Sequence, residues 1–329
     1  MTARLDTAKA EALTLRHFGV DGRATELGGE RTQNFRIRTA EGVTFTLKVS
    51  DPAESADGTM LESAALLHIA RTAPDIAAPR IVPALTGEEA ILLGAADGRY
   101  LRLLTYLEGT PFSLIEAPTL ALRHAIGDAV ARLDMALASF DHPFSRERDL
   151  IWDVKPIASL RPSLTLIDEA RRPLAEAMLD RFEQVAGPHM VALPAQAVHS
   201  DMNGQNILVD SDATDRLAGF LDFGDLVHAP RLVDLAGAAL LQVRGGENDL
   251  RDAADVISAY HRASPLDALE IELLPEFMIA RCVINVVVTE ILADRDPVNR
   301  TYIMKNNPAS WMRLERLSSF PQNPFRTAL

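Results

Sequence analysis

From residue 120 onward the apolar positions fall at helical spacing. Leu122, Ile126, Ala129, Val130, Leu133, Leu137 and Phe140 form one stripe and predict an amphipathic helix over residues 119–139. The same pattern predicts helices near residues 172–185, 249–263 and 266–292. Before residue 110 the period is mostly two. Val43-Thr44-Phe45-Thr46-Leu47-Lys48-Val49 alternates, and the turn Ala40-Glu41-Gly42 joins it to Phe35-Arg36-Ile37-Arg38, predicting a hairpin. Two more strands, Glu89 to Leu93 and Tyr100 to Tyr106, flank Asp97-Gly98. Two helices interrupt this region. One covers residues 5–18, with Leu5, Ala8, Ala12, Leu15 and Phe18 as its stripe and Gly19 as its stop; the other covers residues 59–70. The fold class is therefore α+β, a small antiparallel sheet followed by a larger, mainly helical region.

Composition narrows the function classes. The chain has 329 residues, enough for two domains or one two-lobed unit. Its 33 basic and 46 acidic residues give a net charge of −13, which argues against duplex nucleic acid or an anionic membrane as a bulk partner. One cysteine, Cys282, lies in an apolar run, so no intrachain disulfide forms; this and the lack of a signal-like h-region lead us to expect a cytoplasmic protein.

Chemistry concentrates between residues 199 and 225. Two apolar runs, Ile207-Leu208-Val209 and Leu217 to Leu221, are bounded by turn residues and read as a strand and its return. Asn206 follows Asp201 by five residues, with Gly204 between them to let the chain turn, and Asp222 closes the second run. Such a hairpin would gather Asp201, Asn206 and Asp222 at one end. Two carboxylates and an amide can hold a hard divalent cation while one carboxylate accepts a proton.

This arrangement, D-x-x-x-x-N followed by Asp222-Phe223-Gly224, resembles the aminoglycoside phosphotransferase and choline kinase superfamily of small-molecule kinases. Arg31-Thr32-Gln33-Asn34-Phe35, Leu104 to Gly109, Ile151-Trp152-Asp153 and Asp222 to His228 are most similar to hydroxylysine kinase-like proteins, with type II homoserine kinases sharing much of the plan. The resemblance implies a protein-kinase-like fold, with an N-lobe over residues 1–105 and a C-lobe over residues 106–329. It implies Mg²⁺ and ATP, or GTP, as cofactors and a small amine-bearing alcohol as acceptor. Asp201 matches the catalytic residue, and Asn206 and Asp222 match the metal-holding pair. Lys48 matches the phosphate-binding lysine, and Glu62 is the helix acid best placed to orient it. Gly29 and Arg31 lie in the loop that would cover the phosphates. Thr105 and Leu107 lie in the expected hinge, where backbone groups would meet the base. His199 and Asp234 match residues that steady the catalytic loop, and Ser200 stands where the family usually has glycine.

Asp225, Asp153 and Glu108 are candidates for an acceptor's ammonium. Arg281, on an apolar helix, is the candidate for an acceptor carboxylate, with an ion pair to Glu290 or another helix acid as the alternative. An antibiotic-modifying kinase and a nucleotide-binding regulator without turnover remain the competing functions.

Overall fold

Helix α1 (Thr7–Phe18) shows how far the pattern carries. Asp6 caps it by accepting the Lys9 N–H, and Gly19 closes it in the left-handed region at φ 69. The buried face differs from the predicted stripe: Ala10, Thr14 and Phe18 point inward, and Leu15 is 51% exposed. Thr14 is accommodated there because its hydroxyl donates to the Ala10 carbonyl.

The computed structural model describes residues 4–28, 32–52, 55–94, 97–320 and 323–326. It divides into two compact units, residues 1–109 with 218–224, and residues 110–217 with 225–329. The segment expected to end the first unit at residue 105 thus continues to Gly109.

The first unit holds strands β1 (Arg23–Leu27), β2 (Gln33–Arg38) and β3 (Thr44–Val49), helix α2 (Ala56–Thr72), then β4 (Ile81–Val82), β5 (Ile91–Leu92) and β6 (Tyr100–Thr105). The sheet runs β1-β2-β3-β6-β4, antiparallel throughout, with β5 pairing another part of β6. Phe35, Ile37, Leu47, Val49, Leu101 and Leu103 form one face and pack with Leu5, Ala10 and Phe18. Alternation sends Lys48 and Arg102 to the opposite face, where α2 supplies Glu62.

The second unit is mainly helical. Strand β7 (Thr110–Pro111) is followed by α3 (Leu120–Leu137), α4 (Pro143–Glu147) and α5 (Arg172–Val185). Strands β8 (Ala195–Val198) and β9 (Ile207–Val209) precede β10 (Leu217–Phe220), whose residues from Ala218 belong to the first unit. Then come β11 (Val227–Pro230), α6 (Leu232–Leu240), α7 (Asp249–Ala263), α8 (Ala268–Arg295), α9 (Arg300–Ile303) and α10 (Asn307–Ser318). Helix α3 packs on α7 and α6, and α8 on α5, α6 and α10. Gly127 permits the α3–α7 approach, since a Cβ there would lie 2.2 Å from the Val256 carbonyl oxygen. β7 pairs with β9 and β8 with β11, so Val198, just before His199, lies opposite Val227, two residues after Asp225.

Candidate active site

In the first unit, register builds a buried charge cluster. Lys48 on β3 lies directly across from Arg102 on β6. Two like charges facing each other on a sheet repel, so an acid is required between them. Glu62 supplies it: Lys48 Nζ donates to Oε1 at 2.7 Å and Arg102 Nη2 donates to Oε2 at 2.6 Å. Arg102 is almost fully buried, and its Nη1 also reaches the Thr59 carbonyl and the Ser63 hydroxyl. Burial alone would raise the Glu62 pKa, but the Arg102 and Lys48 charges override it and hold the carboxyl at about 2. Burial likewise opposes the Lys48 ammonium, and Glu62 and Asp222 more than offset it, raising its pKa. Sequence reasoning missed Arg102. The available signal was an arginine in an otherwise apolar strand that pairs with the lysine strand.

Lys48 also donates to Asp222 Oδ1 at 3.3 Å. Asp222 stands at φ 57, a left-handed conformation uncommon outside glycine but tolerated by Asp and Asn. Thr105 is committed to the sheet: its N–H donates to the Arg80 carbonyl, and its hydroxyl accepts the Arg80 N–H. Leu107 lies beside Gly219. Gly29 and Arg31 fall outside the described residues.

In the second unit, Asp234 shapes the catalytic loop. It is buried, and its two carboxylate oxygens accept the His199 and Ser200 N–H groups, each at 2.7 Å. Ser200 sits at φ 67, which explains why glycine suits this position; the serine holds the same turn at a cost in strain. His199 is fully buried, and its Nδ1 accepts the Asp201 N–H. Asp201 Oδ2 then accepts Nδ2–H from Asn206 at 2.8 Å and from Asn203 at 2.9 Å. The Asn206 amide nitrogen is spent on Asp201, which leaves Oδ1 as the atom that could hold a cation.

A second acid lies behind this loop. Asp134 on α3 is buried beside Asp234, and its Oδ2 accepts the Tyr260 hydroxyl at 2.7 Å. No donor among the described residues reaches its Oδ1. Burial first, and then the Asp234 charge, raise the Asp134 pKa well above the usual carboxylate range. Burial also raises Asp234, although His199 and two backbone N–H groups favour its charge. Asp134, pushed further up than its neighbour, is therefore the acid of the pair that keeps a proton.

This arrangement has a checkable consequence. Asp134→Asn puts an NH₂ where the proton sits and keeps an oxygen for Tyr260. Asp134 binds its proton more tightly folded than unfolded, so wild-type stability declines as pH rises above the ordinary carboxylate range. In thermal melts the asparagine variant should match or exceed wild type at pH 7 and show a flatter decline. Asp134→Ala, which strands the Tyr260 hydroxyl, should lose about 1–3 kcal/mol. An asparagine variant less stable than the alanine one at pH 7 would remove the proton on Asp134 from the picture.

The four acceptor candidates separate in the structure. Asp153 is buried and committed to Lys155, through the Lys155 N–H at 3.0 Å and an ion pair at 3.2 Å. Glu108 belongs to the first unit, not to the helical one, and pairs with Arg36 at 2.9 Å. Asp225 is buried at the start of the segment that leads into β11. Arg281 does not pair with Glu290, which instead meets Arg300. Its Nη2 donates to Asp201 Oδ1 at 2.7 Å, and its guanidinium carbon lies 6.0 Å from the Trp152 ring centroid. Cys282, beside it in sequence, is buried, and burial pushes its thiol up to about 12, so it is an inert core residue.

Among the described residues, no helix is long and apolar enough to cross a membrane. Comparison with known proteins supports the local chemistry. The hydroxylysine kinase of Danio rerio is 26% identical over 297 residues, covering 87% of this chain and 83% of that protein. A homoserine kinase of Methylobacillus flagellatus is 30% identical over 181 residues, 54% of this chain and 53% of its own. The structure of a microcompartment-associated aminopropanol kinase is similar at a TM-score of 0.66 and 20% identity, over 95% of this chain and 98% of its own, which shows the protein-kinase-like fold. The model of the phosphotransferase enzyme family matches residues 23–270, a span that holds Lys48, Glu62, Arg102, Asp201, Asn206, Asp222 and Asp234. The chain accordingly belongs to the phosphotransferase enzyme family and is a small-molecule kinase.

Proposed function

We propose that the chain moves the γ-phosphoryl of ATP, or of GTP, to the hydroxyl of a small amine-bearing alcohol, either a hydroxy amino acid or an amino alcohol. The observation that carries this reading is the state of Asp201. Its side chain is 21% exposed, and two amides hold Oδ2 on a loop pinned by Asp234. A carboxylate fixed in this way can orient an acceptor hydroxyl and take its proton as the phosphoryl moves in line. Lys48, kept charged by Glu62 and Asp222, supplies a cation for the nucleotide phosphates. The backbone of Leu107 is our candidate to meet the base.

The donor chemistry fits Mg²⁺. Asn206 and Asp222 offer hard oxygens, and among the described residues no group of three or more His, Cys, Asp or Glu is arranged to hold a metal. Asn206 and Asp222 would hold Mg²⁺ with few protein ligands, leaving room for phosphate oxygens and water. Bound Mg²⁺ would neutralise phosphate charge. For the acceptor's ammonium, Asp225 is our candidate, three residues after Asp222 in the chain. The relatives named above share one acceptor chemistry in their names, a hydroxyl together with an amine.

Nucleotide consumption across hydroxy amino acids, amino alcohols and aminoglycosides tests the reading, with mass spectrometry of the product. Acceptor-dependent turnover with one of the first two classes is expected. Turnover with aminoglycosides alone, or with no acceptor, would overturn it. Asp222→Asn isolates the metal contribution, because asparagine tolerates φ 57 and keeps an oxygen while losing the charge. The Mg²⁺ concentration for half-maximal activity should rise at least about tenfold, a loss of ~1.4 kcal/mol. An unchanged Mg²⁺ dependence would exclude Asp222 as a ligand.

A further inference from the structure

Arg281 is bound to the catalytic carboxylate. In a resting enzyme this has a consequence: Asp201 Oδ1 carries the Arg281 Nη2–H at 2.7 Å, while Oδ2 carries two amides. Three donors leave a carboxylate about one lone-pair site, here on Oδ1 beside the guanidinium. The guanidinium, by contrast, is underused. It has five N–H donors and makes one hydrogen bond among the described residues. Its side chain is 16% exposed, so ligand can reach it. It stands on α8 between buried neighbours Ala280 and Cys282, which fixes its origin, and the Trp152 ring lies on one side of it. It also lies outside the family-matched segment, residues 23–270.

We propose that Arg281 is the specificity residue that admits acceptors bearing a carboxylate, and that docking of this carboxylate on the guanidinium releases Oδ1 of Asp201 for the acceptor hydroxyl. The inference rests on the phosphotransfer reading above and narrows its acceptor to hydroxy acids. The chemistry favours a carboxylate. The guanidinium presents a planar fork that matches two carboxylate oxygens, so an acceptor carboxylate competes with Asp201 for the Nη2–H. An acceptor anion would otherwise be repelled by Asp201, and the Arg281 charge, paired with Asp201 at 2.7 Å, offsets that repulsion. In a short hydroxy amino acid the carboxylate and hydroxyl are a few bonds apart, so one molecule can meet Arg281 and Asp201 together. Its methylenes can lie against Trp152. Decarboxylated acceptors lack the group that competes for Arg281, and Asp201 stays tied.

The test compares L-homoserine with 3-aminopropan-1-ol, which differ by the carboxylate alone, in wild type, Arg281→Met and Arg281→Lys. Wild type should favour homoserine in kcat/KM. Arg281→Met should lose on the order of 10–100-fold in kcat/KM for homoserine, the range of a charge-assisted hydrogen bond, and should gain for the amino alcohol, whose hydroxyl then meets an untied Asp201. Arg281→Lys keeps a charge for Asp201 but lacks the fork. It should raise the homoserine KM while largely preserving kcat, which a residue that only positions the base would not do. Equal losses on both acceptors would overturn the inference and assign Arg281 to the phosphoryl group or to holding the base. Acceptor binding, followed by calorimetry, keeps the two readings apart. If no acceptor is phosphorylated by wild type, the kinase reading falls, and the carboxylate site is still decided. Homoserine binding that Arg281→Met abolishes supports the site, and binding indifferent to the substitution removes it.

Discussion

Asp201→Asn is expected to bind nucleotide as the wild type does and to turn over about 10²–10⁴-fold more slowly, the range a positioned proton acceptor contributes. The substitution is nearly isosteric, yet the structure shows that it cannot be silent in hydrogen bonding. The wild-type carboxylate accepts on both sides, from Arg281 at Oδ1 and from Asn203 and Asn206 at Oδ2. An asparagine offers one oxygen. If it faces Arg281, its NH₂ meets two amide donors; if it faces the amides, its NH₂ meets the guanidinium. Asn206 can relieve the first conflict only by rotating its amide and moving the oxygen assigned to the metal. The variant should therefore show a lower kcat together with a raised Mg²⁺ requirement. Equilibrium nucleotide binding, steady-state rates and a Mg²⁺ titration read these separately. Turnover within a factor of about three of wild type would remove Asp201 from the role of base.

Features set by local sequence were legible, and those set by register or by distant packing were not. Helices α5 and α7 carry enough turns for periodicity to give their bounds, and Thr119 and Asp267 cap α3 and α8 with short-range bonds. The catalytic loop was readable because Asp201 and Asn206 sit on one turn, so their spacing fixes their contact. The glycine-to-serine departure at residue 200 was visible too, although only the backbone shows that Ser200 takes the left-handed conformation. By contrast, β4, β5 and β7 have two residues each, too few to show a period. Arg102 meets Glu62 across 40 positions, and Arg281 meets Asp201 across 80. A search for acids along α8 could not find that partner, since it lies on a loop. Nor does sequence distance tell that residues 218–224 pack with the first unit.

The largest stability effect is expected at Arg102, a residue that touches neither reactant in our scheme. Arg102→Met fills similar space with an apolar chain and leaves Glu62 buried with Lys48 as its one cation. Breaking a buried ion pair from one side costs about 3–5 kcal/mol, because the remaining charge is desolvated without compensation. Melting without nucleotide, together with hydrogen exchange at β3 and α2 amides, would report this loss in the first unit. The pH dependence should change with it. In wild type the Glu62 pKa is depressed to about 2, so its contribution is fully present above the unfolded value, 4.5, and is lost as pH falls between the two. Without Arg102 the folded pKa rises, the acid loss begins at higher pH, and less of it is left to lose. Glu62→Gln should be at least as damaging, since Lys48 and Arg102 would then face each other across β3 and β6 with no acid between them. Arg102→Met within about 1 kcal/mol of wild type, with an unchanged acid limb, would mean that Lys48 alone suffices to hold Glu62 and that Arg102 serves only as packing.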